Sequence, residues 1–128
     1  MKLTEFDIIN RYFTRHTQSP NIIRSIGDDA AVFTIPPDSN MIQCTDTLVA
    51  GTHFFSDCNA DSLGHKALAV NLSDIAAMGG TPHSTQLALT LPQVNQEWLK
   101  KFRKWDSFSW KADILSKRIC FLLSNLSF

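Results

Sequence analysis

The sequence is short of most signals that announce a function outright. No stretch of about 18 apolar residues occurs, so nothing in it reads as a membrane span. Only 5 of the 128 residues are glycine, and neither a G-x-x-x-x-G-K-[ST] loop nor a G-x-G-x-x-G loop is present, so a phosphate has to be held in some other way. The cysteines are three, Cys44, Cys58 and Cys120, an odd number with wide spacing and no C-x-x-C pair. They read as reduced thiols of a cytoplasmic protein, not as a disulfide framework or a zinc site. The opening Met-Lys-Leu-Thr-Glu-Phe-Asp lacks the apolar core of an export segment. Excess charge is missing too: 12 Lys and Arg offset 12 Asp and Glu, which gives no bulk attraction to nucleic acid.

What is present suits one small domain. The chain of 14.4 kDa is 44% hydrophobic and 19% charged, enough to form a core. The zero net charge conceals a split: residues 1–98 carry five basic groups against ten acids, and residues 99–128 carry seven against two. All three tryptophans, Trp98, Trp105 and Trp110, fall at or after position 98. Composition therefore breaks near residue 100, inside a chain too short for two domains.

Phe6, Ile9 and Phe13 share a helical face and predict a helix over 3–15, with Thr4 as its cap and Asp7 three residues on. Residues 17–27, with Ser19-Pro20-Asn21 and Gly27, read as a loop. Ala30 to Ile35 and Met41 to Val49 read as strands that pair as a hairpin across Pro36-Pro37-Asp38-Ser39-Asn40. Asp61 to Met78 is the strongest helix, apolar on most sides and stopped by Gly79-Gly80, hence expected to be buried against a sheet. Ser84 to Leu91 alternates as a strand, and Asn95 caps a helix from Gln96 through Phe102. The order α, β, β, α, β, α gives an α/β or α+β fold, a mixed sheet packed by helices. Beyond residue 103, an amphipathic helix over about 112–123 and an unstructured segment are both open.

Four acidic segments carry the chemistry: Ile26-Gly27-Asp28-Asp29-Ala30-Ala31, Cys44-Thr45-Asp46-Thr47, Gly51-Thr52-His53-Phe54 after it, and Asn71-Leu72-Ser73-Asp74. Asp74 is the most informative, because a lone carboxylate on a buried helix costs several kcal/mol unless paired or metal-bound. Two readings stand. Asp74 caps a loop or pairs with Lys66 or an arginine; or it meets Asp29 and Asp46 around hard cations, whose all-oxygen ligation suits Mg²⁺ over zinc or copper. Asp28-Asp29 reads equally as a solvated turn, Asp46 as a strand-edge residue and His53 as an ordinary histidine.

Taken together, these segments resemble the thiamine-monophosphate kinase family, within the superfamily of aminoimidazole ribonucleotide synthetase and selenophosphate synthetase. The residues that carry the resemblance are Glu5-Phe6 with Arg11-Tyr12-Phe13, Ile26 to Ala31, Thr45 to Phe54, Lys66 to Gly80 and Leu87 to Pro92. The resemblance implies ATP-dependent phosphorylation of thiamine monophosphate to thiamine diphosphate. It implies that Asp29, Thr45, Asp46 and Asp74 hold several Mg²⁺ ions and that Cys44 offers a backbone carbonyl to a cation. It further implies that Asp29, Asp46, Asn71 and Asp74 bind the nucleotide and that His53 contacts the substrate. No catalytic base is needed, since the acceptor is a phosphate oxygen already largely deprotonated; positioning and charge compensation by metal are the expected means. A homodimer through the sheet is implied, with neither nucleic acid nor membrane as partner.

The likeness covers about residues 3–102, and residues 1–102 are expected to be the N-terminal, ATP- and Mg²⁺-binding part. A Gly-Gly-Asp-Thr segment, which the family places soon after, is not found in residues 103–128. That stretch is expected to be a divergent tail from a frameshift or premature stop, with the family's C-terminal domain absent and activity weak or nil. Two other readings stand beside this one: a non-catalytic dimerising fragment, and a different ATP-dependent member of the superfamily.

Overall fold

A computed structural model describes residues 3–14, 21–104 and 118–127. They fall into two compact units, one up to Pro37 and one from Asp38 onward.

In the first unit Thr4 caps a short helix, α1 (Glu5–Ile8), through the reciprocal arrangement its sequence allows: Asp7 N–H donates to Thr4 Oγ1 at 3.2 Å and Thr4 N–H donates to Asp7 Oδ2 at 2.9 Å. The chain continues over Ile9–Phe13 with the wider π spacing, closed by Thr14 N–H on Ile9 O at 2.9 Å. The loop expected over 17–27 contains a strand, β1 (Ile22–Arg24). It pairs antiparallel with β2 (Val32–Phe33), Ile22 opposite Phe33. Three residues between Pro20 and Gly27 are too few to show a period, which is why the pattern hid this strand.

The second unit is built on β3 (Asn40–Val49), α2 (Ala60–Ala77), β4 (Thr81–Leu89), α3 (Gln96–Phe102) and β5 (Arg118–Ser127). The sheet order is β3-β5-β4, with both pairings parallel. The expected hairpin of 30–35 with 41–49 is therefore corrected: β2 pairs with β1, and β3 pairs with β5. The helical alternative for 112–123 fails where residues are described, since Arg118 onward is strand; 105–117 lies outside the described residues. Ile119-Cys120-Phe121-Leu122-Leu123 is an unbroken apolar run, the composition of a central parallel strand. Parallel strands need crossovers, and α2 and α3 provide them.

The core lies where α2 meets β3 and α3. Leu63, Ala67, Leu68 and Ile75 of α2, Leu48 of β3, and Leu99 and Phe102 of α3 are buried. Each large side chain among them is worth about 1.5–3 kcal/mol. Asn95 caps α3 as expected, accepting Trp98 N–H at 3.0 Å, and the Trp98 and Phe102 rings stack 4.8 Å apart. α2 is not buried all round: Ser73, Asp74, Ala76, Ala77 and Met78 are exposed. Alanine reads as apolar in a sequence, yet its small side chain costs little in water, so the pattern overstated the buried arc.

Candidate functional site

The alternation of β3 sorts the candidate residues. Ile42 and Cys44 pack with Leu68 and Ile75 of α2, so the even-numbered side chains, Asp46 among them, face the helix. Thr45 falls on the opposite, exposed face, so the strand does not bring its side chain together with that of Asp46. Cys44 Sγ donates to the backbone carbonyl and to Oδ1 of Asn71, each at 3.5 Å. Asn71 is fully buried, and its Nδ2 donates to Ala67 O at 3.0 Å. Its amide thus knits α2 to β3.

Asp74 stands one turn further along α2. Burial pushes the Cys44 thiol up, and the carboxylates of Asp74 and Asp46 push it further the same way. Both carboxylates therefore act on one thiol, at the seam of β3 and the C-terminal half of α2. Asp74 is exposed, which corrects the expectation of a carboxylate buried in the helix. Ile75, at 1% exposure, fixes the inward direction, and its neighbour in sequence is turned about 100° away. Among the described residues, Arg24 pairs with Asp28 and Lys100 with Glu97, and neither Asp46 nor Asp74 is tied up in an ion pair. Asp74 also sits in the last turn of α2, which has no basic residue, against the negative end of the helix dipole. Two hard-oxygen donors in a field that lacks cationic compensation fit a hard divalent cation. Among the described residues, no group of three or more His, Cys, Asp or Glu side chains is gathered for a metal.

The segment after β3 is a built turn. Thr52 N–H donates to Val49 O at 3.2 Å across Ala50-Gly51, and Gly51 takes φ of 76°, as the third residue of a type II turn requires. His53 N–H also reaches Val49 O, at 2.8 Å, and Val49 N–H donates to His53 Nδ1 at 3.0 Å. Lys66 of α2 donates its ammonium to the His53 carbonyl. The sequence offered Lys66 as a partner for Asp74, and the structure gives it to this turn instead. A lysine on an otherwise apolar stretch of helix was the signal for such a contact.

In the first unit, Gly27 has φ of 104° and opens the acidic loop. Asp28 is spent within it: Arg24 Nη1 reaches its Oδ2 at 2.9 Å, and Asp29 N–H donates to its Oδ1 at 2.9 Å. Asp29 is exposed.

A parallel sheet packed by helices, with acidic side chains on β3 and α2 at their seam, places the second unit among α/β domains. The chain belongs to the family described as AIR synthase related protein, N-terminal domain, whose pattern matches residues 27–104. It is 50% identical over 103 residues to the thiamine-monophosphate kinases of Buchnera aphidicola subsp. Acyrthosiphon pisum (strain APS) and of Escherichia coli (strain K12). In each case the match covers 80% of this chain and 32% of the relative. The thiamine-monophosphate kinase of Bacillus subtilis (strain 168) is 41% identical over 91 residues, 70% of this chain and 28% of the relative. The chain spans about a third of the length of the curated relatives it matches.

Proposed function

We propose that this chain carries the cation- and nucleotide-binding part of a thiamine-monophosphate kinase, an enzyme that passes the γ-phosphoryl group of ATP to thiamine monophosphate. The observation that supports this most is the pair Asp46 and Asp74, in no ion pair among the described residues, within a stretch half identical to those kinases. Asp46 and Asp74 would hold Mg²⁺, and Asp29 of the first unit is a further carboxylate suited to the same class of ion. Bound there, Mg²⁺ supplies the positive charge that lets a phosphate acceptor approach a triphosphate. The Cys44 thiol, protonated and spent on Asn71, is not a ligand; the part left to Cys44 is its backbone carbonyl. Residues 103–128 lie almost wholly beyond the matched stretch and stand as a divergent segment.

The test is direct. Calorimetric titration with Mg²⁺ is expected to show binding to this chain, and Asp46→Asn and Asp74→Asn are each expected to remove it. Unchanged binding in both variants would sink the reading. In a coupled ADP-release assay with thiamine monophosphate, the chain alone gives little or no turnover, because it spans a third of its relatives. We further infer a homodimer through the sheet, favoured by the exposed Met41, Gln43, Thr45 and Thr47 on the face of β3 away from α2. Sedimentation equilibrium reads a doubled mass if this holds, and a strict monomer at all concentrations if it does not.

A further inference from the structure

The turn after β3 is held from two sides, and the two holds act on one residue. On one side, Val49 N–H donates to His53 Nδ1 at 3.0 Å. A nitrogen that accepts a hydrogen bond carries no proton, so the proton of the neutral ring stays on Nε2. On the other side, the Lys66 ammonium donates to the carbonyl of the same residue. The Lys66 charge also acts on the Cys58 thiol, in keeping with an ammonium beside the 53–58 segment. His53 itself is exposed, with Nε2 on the side of the ring away from Val49.

We propose that Lys66 is a positioning residue for His53: by clasping the His53 carbonyl it pins the Val49–Phe54 turn to α2. The imidazole is thereby kept in the Nε2–H tautomer, with Nε2–H offered outward as a donor to a phosphate oxygen. The ligand in this statement rests on the function proposed above; the clasp and the tautomer do not. A free imidazole exchanges tautomers readily, and a turn containing Gly51 is pliable. The backbone bond to Nδ1 selects one tautomer only while the turn stays closed, and Lys66 closes it. The result is a neutral donor of fixed direction, where a mobile ring would present a donor and an acceptor by turns.

The test uses the full chain labelled with ¹⁵N-histidine, at a pH about one unit above the ordinary imidazole pKa. Long-range ¹H–¹⁵N correlation tells the bare ring nitrogen from the protonated one, and His53→Gln assigns the signals among His16, His53, His65 and His83. Nδ1 of His53 is expected to be bare, with the Nε2–H form favoured about tenfold, the bias of one hydrogen bond. Lys66→Met lowers the bias to the modest preference for Nε2–H of an unconstrained histidine, and Lys66→Arg, which keeps a cationic donor, restores it. A wild-type ring protonated mainly on Nδ1 overturns the proposal, and so does a Lys66→Met ring indistinguishable from wild type. Should Lys66→Met not fold, Lys66→Gln, whose amide falls short of the carbonyl, is read in its place. Thiamine monophosphate is then added to the wild-type chain. A correctly tautomerised His53 that ignores it counts against the proposed substrate and leaves the clasp standing.

Discussion

At the scale of single residues, the informative groups are those whose position does the fold no good. Asp74 gains nothing from burial, stands against the negative end of the α2 dipole and shares its surroundings with Asp46. Such a carboxylate is kept at a cost, and removing its charge should stabilise the metal-free chain. Asp74→Asn is expected to raise the free energy of unfolding by about 0.3–1 kcal/mol in urea titrations without Mg²⁺. Under the proposed function the order is expected to reverse in excess Mg²⁺, because the wild type alone would gain ligand-linked stability. A variant less stable than wild type without metal would show that Asp74 is a structural residue. His83 gives the pH dependence. Desolvation lowers its pKa from the ordinary 6.5, so the fold binds fewer protons there than the unfolded chain. Its contribution is fully present above pH 6.5 and is lost as pH falls through the lowered value. Asp7 and Glu97, both also lowered, by Thr4 and by Lys100, add their loss only below their ordinary values of 3.8 and 4.5. Melting temperature is therefore expected to decline in two stages on acidification, and His83→Gln should remove the first stage alone.

At the scale of elements, the seam between α2 and β3 decides whether Asp46 and Asp74 meet. Gly80, just past α2, makes that seam close. A Cβ there would stand 3.0 Å from Ile75 Cγ2 and 3.1 Å from Ile42 Cδ1, whereas one at Gly51 would meet nothing within 4 Å. Gly80→Ala is expected to cost about 1–3 kcal/mol by overpacking, read as a shift of the urea midpoint at constant slope, and to weaken Mg²⁺ binding with it. No shift in the midpoint would mean that the seam gives way freely. This seam was partly legible in the sequence. The α2 and α3 bounds and the length of β3 followed from period, caps and the Gly79-Gly80 stop, because these signals are local. The acids on β3 and α2 were singled out because acids inside apolar patterns need a reason. The pairing partner of β3 was not legible: strand alternation says which face is buried but not which strand lies alongside, and the proline-rich turn favoured the wrong neighbour. Lys66 was legible only as a charge seeking a partner, since its actual acceptor is a backbone carbonyl, and every residue has one of those.

At the scale of the molecule, the order of strands in space sets how the second unit holds together. β3 and β4 come first in the chain, yet they pair through β5, the last element, which lies between them. Ten register pairs join β3 to β5, from Asn40–Arg118 to Val49–Ser127, and a second ladder joins β4 to β5. Without β5 the facing edges of β3 and β4 present open backbone donors and acceptors, and isolated strands of that kind do not hold a sheet. The α2 and α3 core would still bring apolar side chains together, but collapse without a paired sheet lacks the cooperativity of a native fold. A chain ended at residue 104, which retains the whole family match and all the candidate ligands, is therefore expected to keep helical circular dichroism and lose its sharp thermal transition. It should also lose Mg²⁺ binding, since Asp46 rides on β3 and is placed by the sheet. Adding back a peptide of residues 118–127 in excess should restore part of the transition. A shortened chain that melts as sharply as the full one, and binds Mg²⁺ as well, would show that β3 is aligned by α2 alone and that the central strand is dispensable to the site.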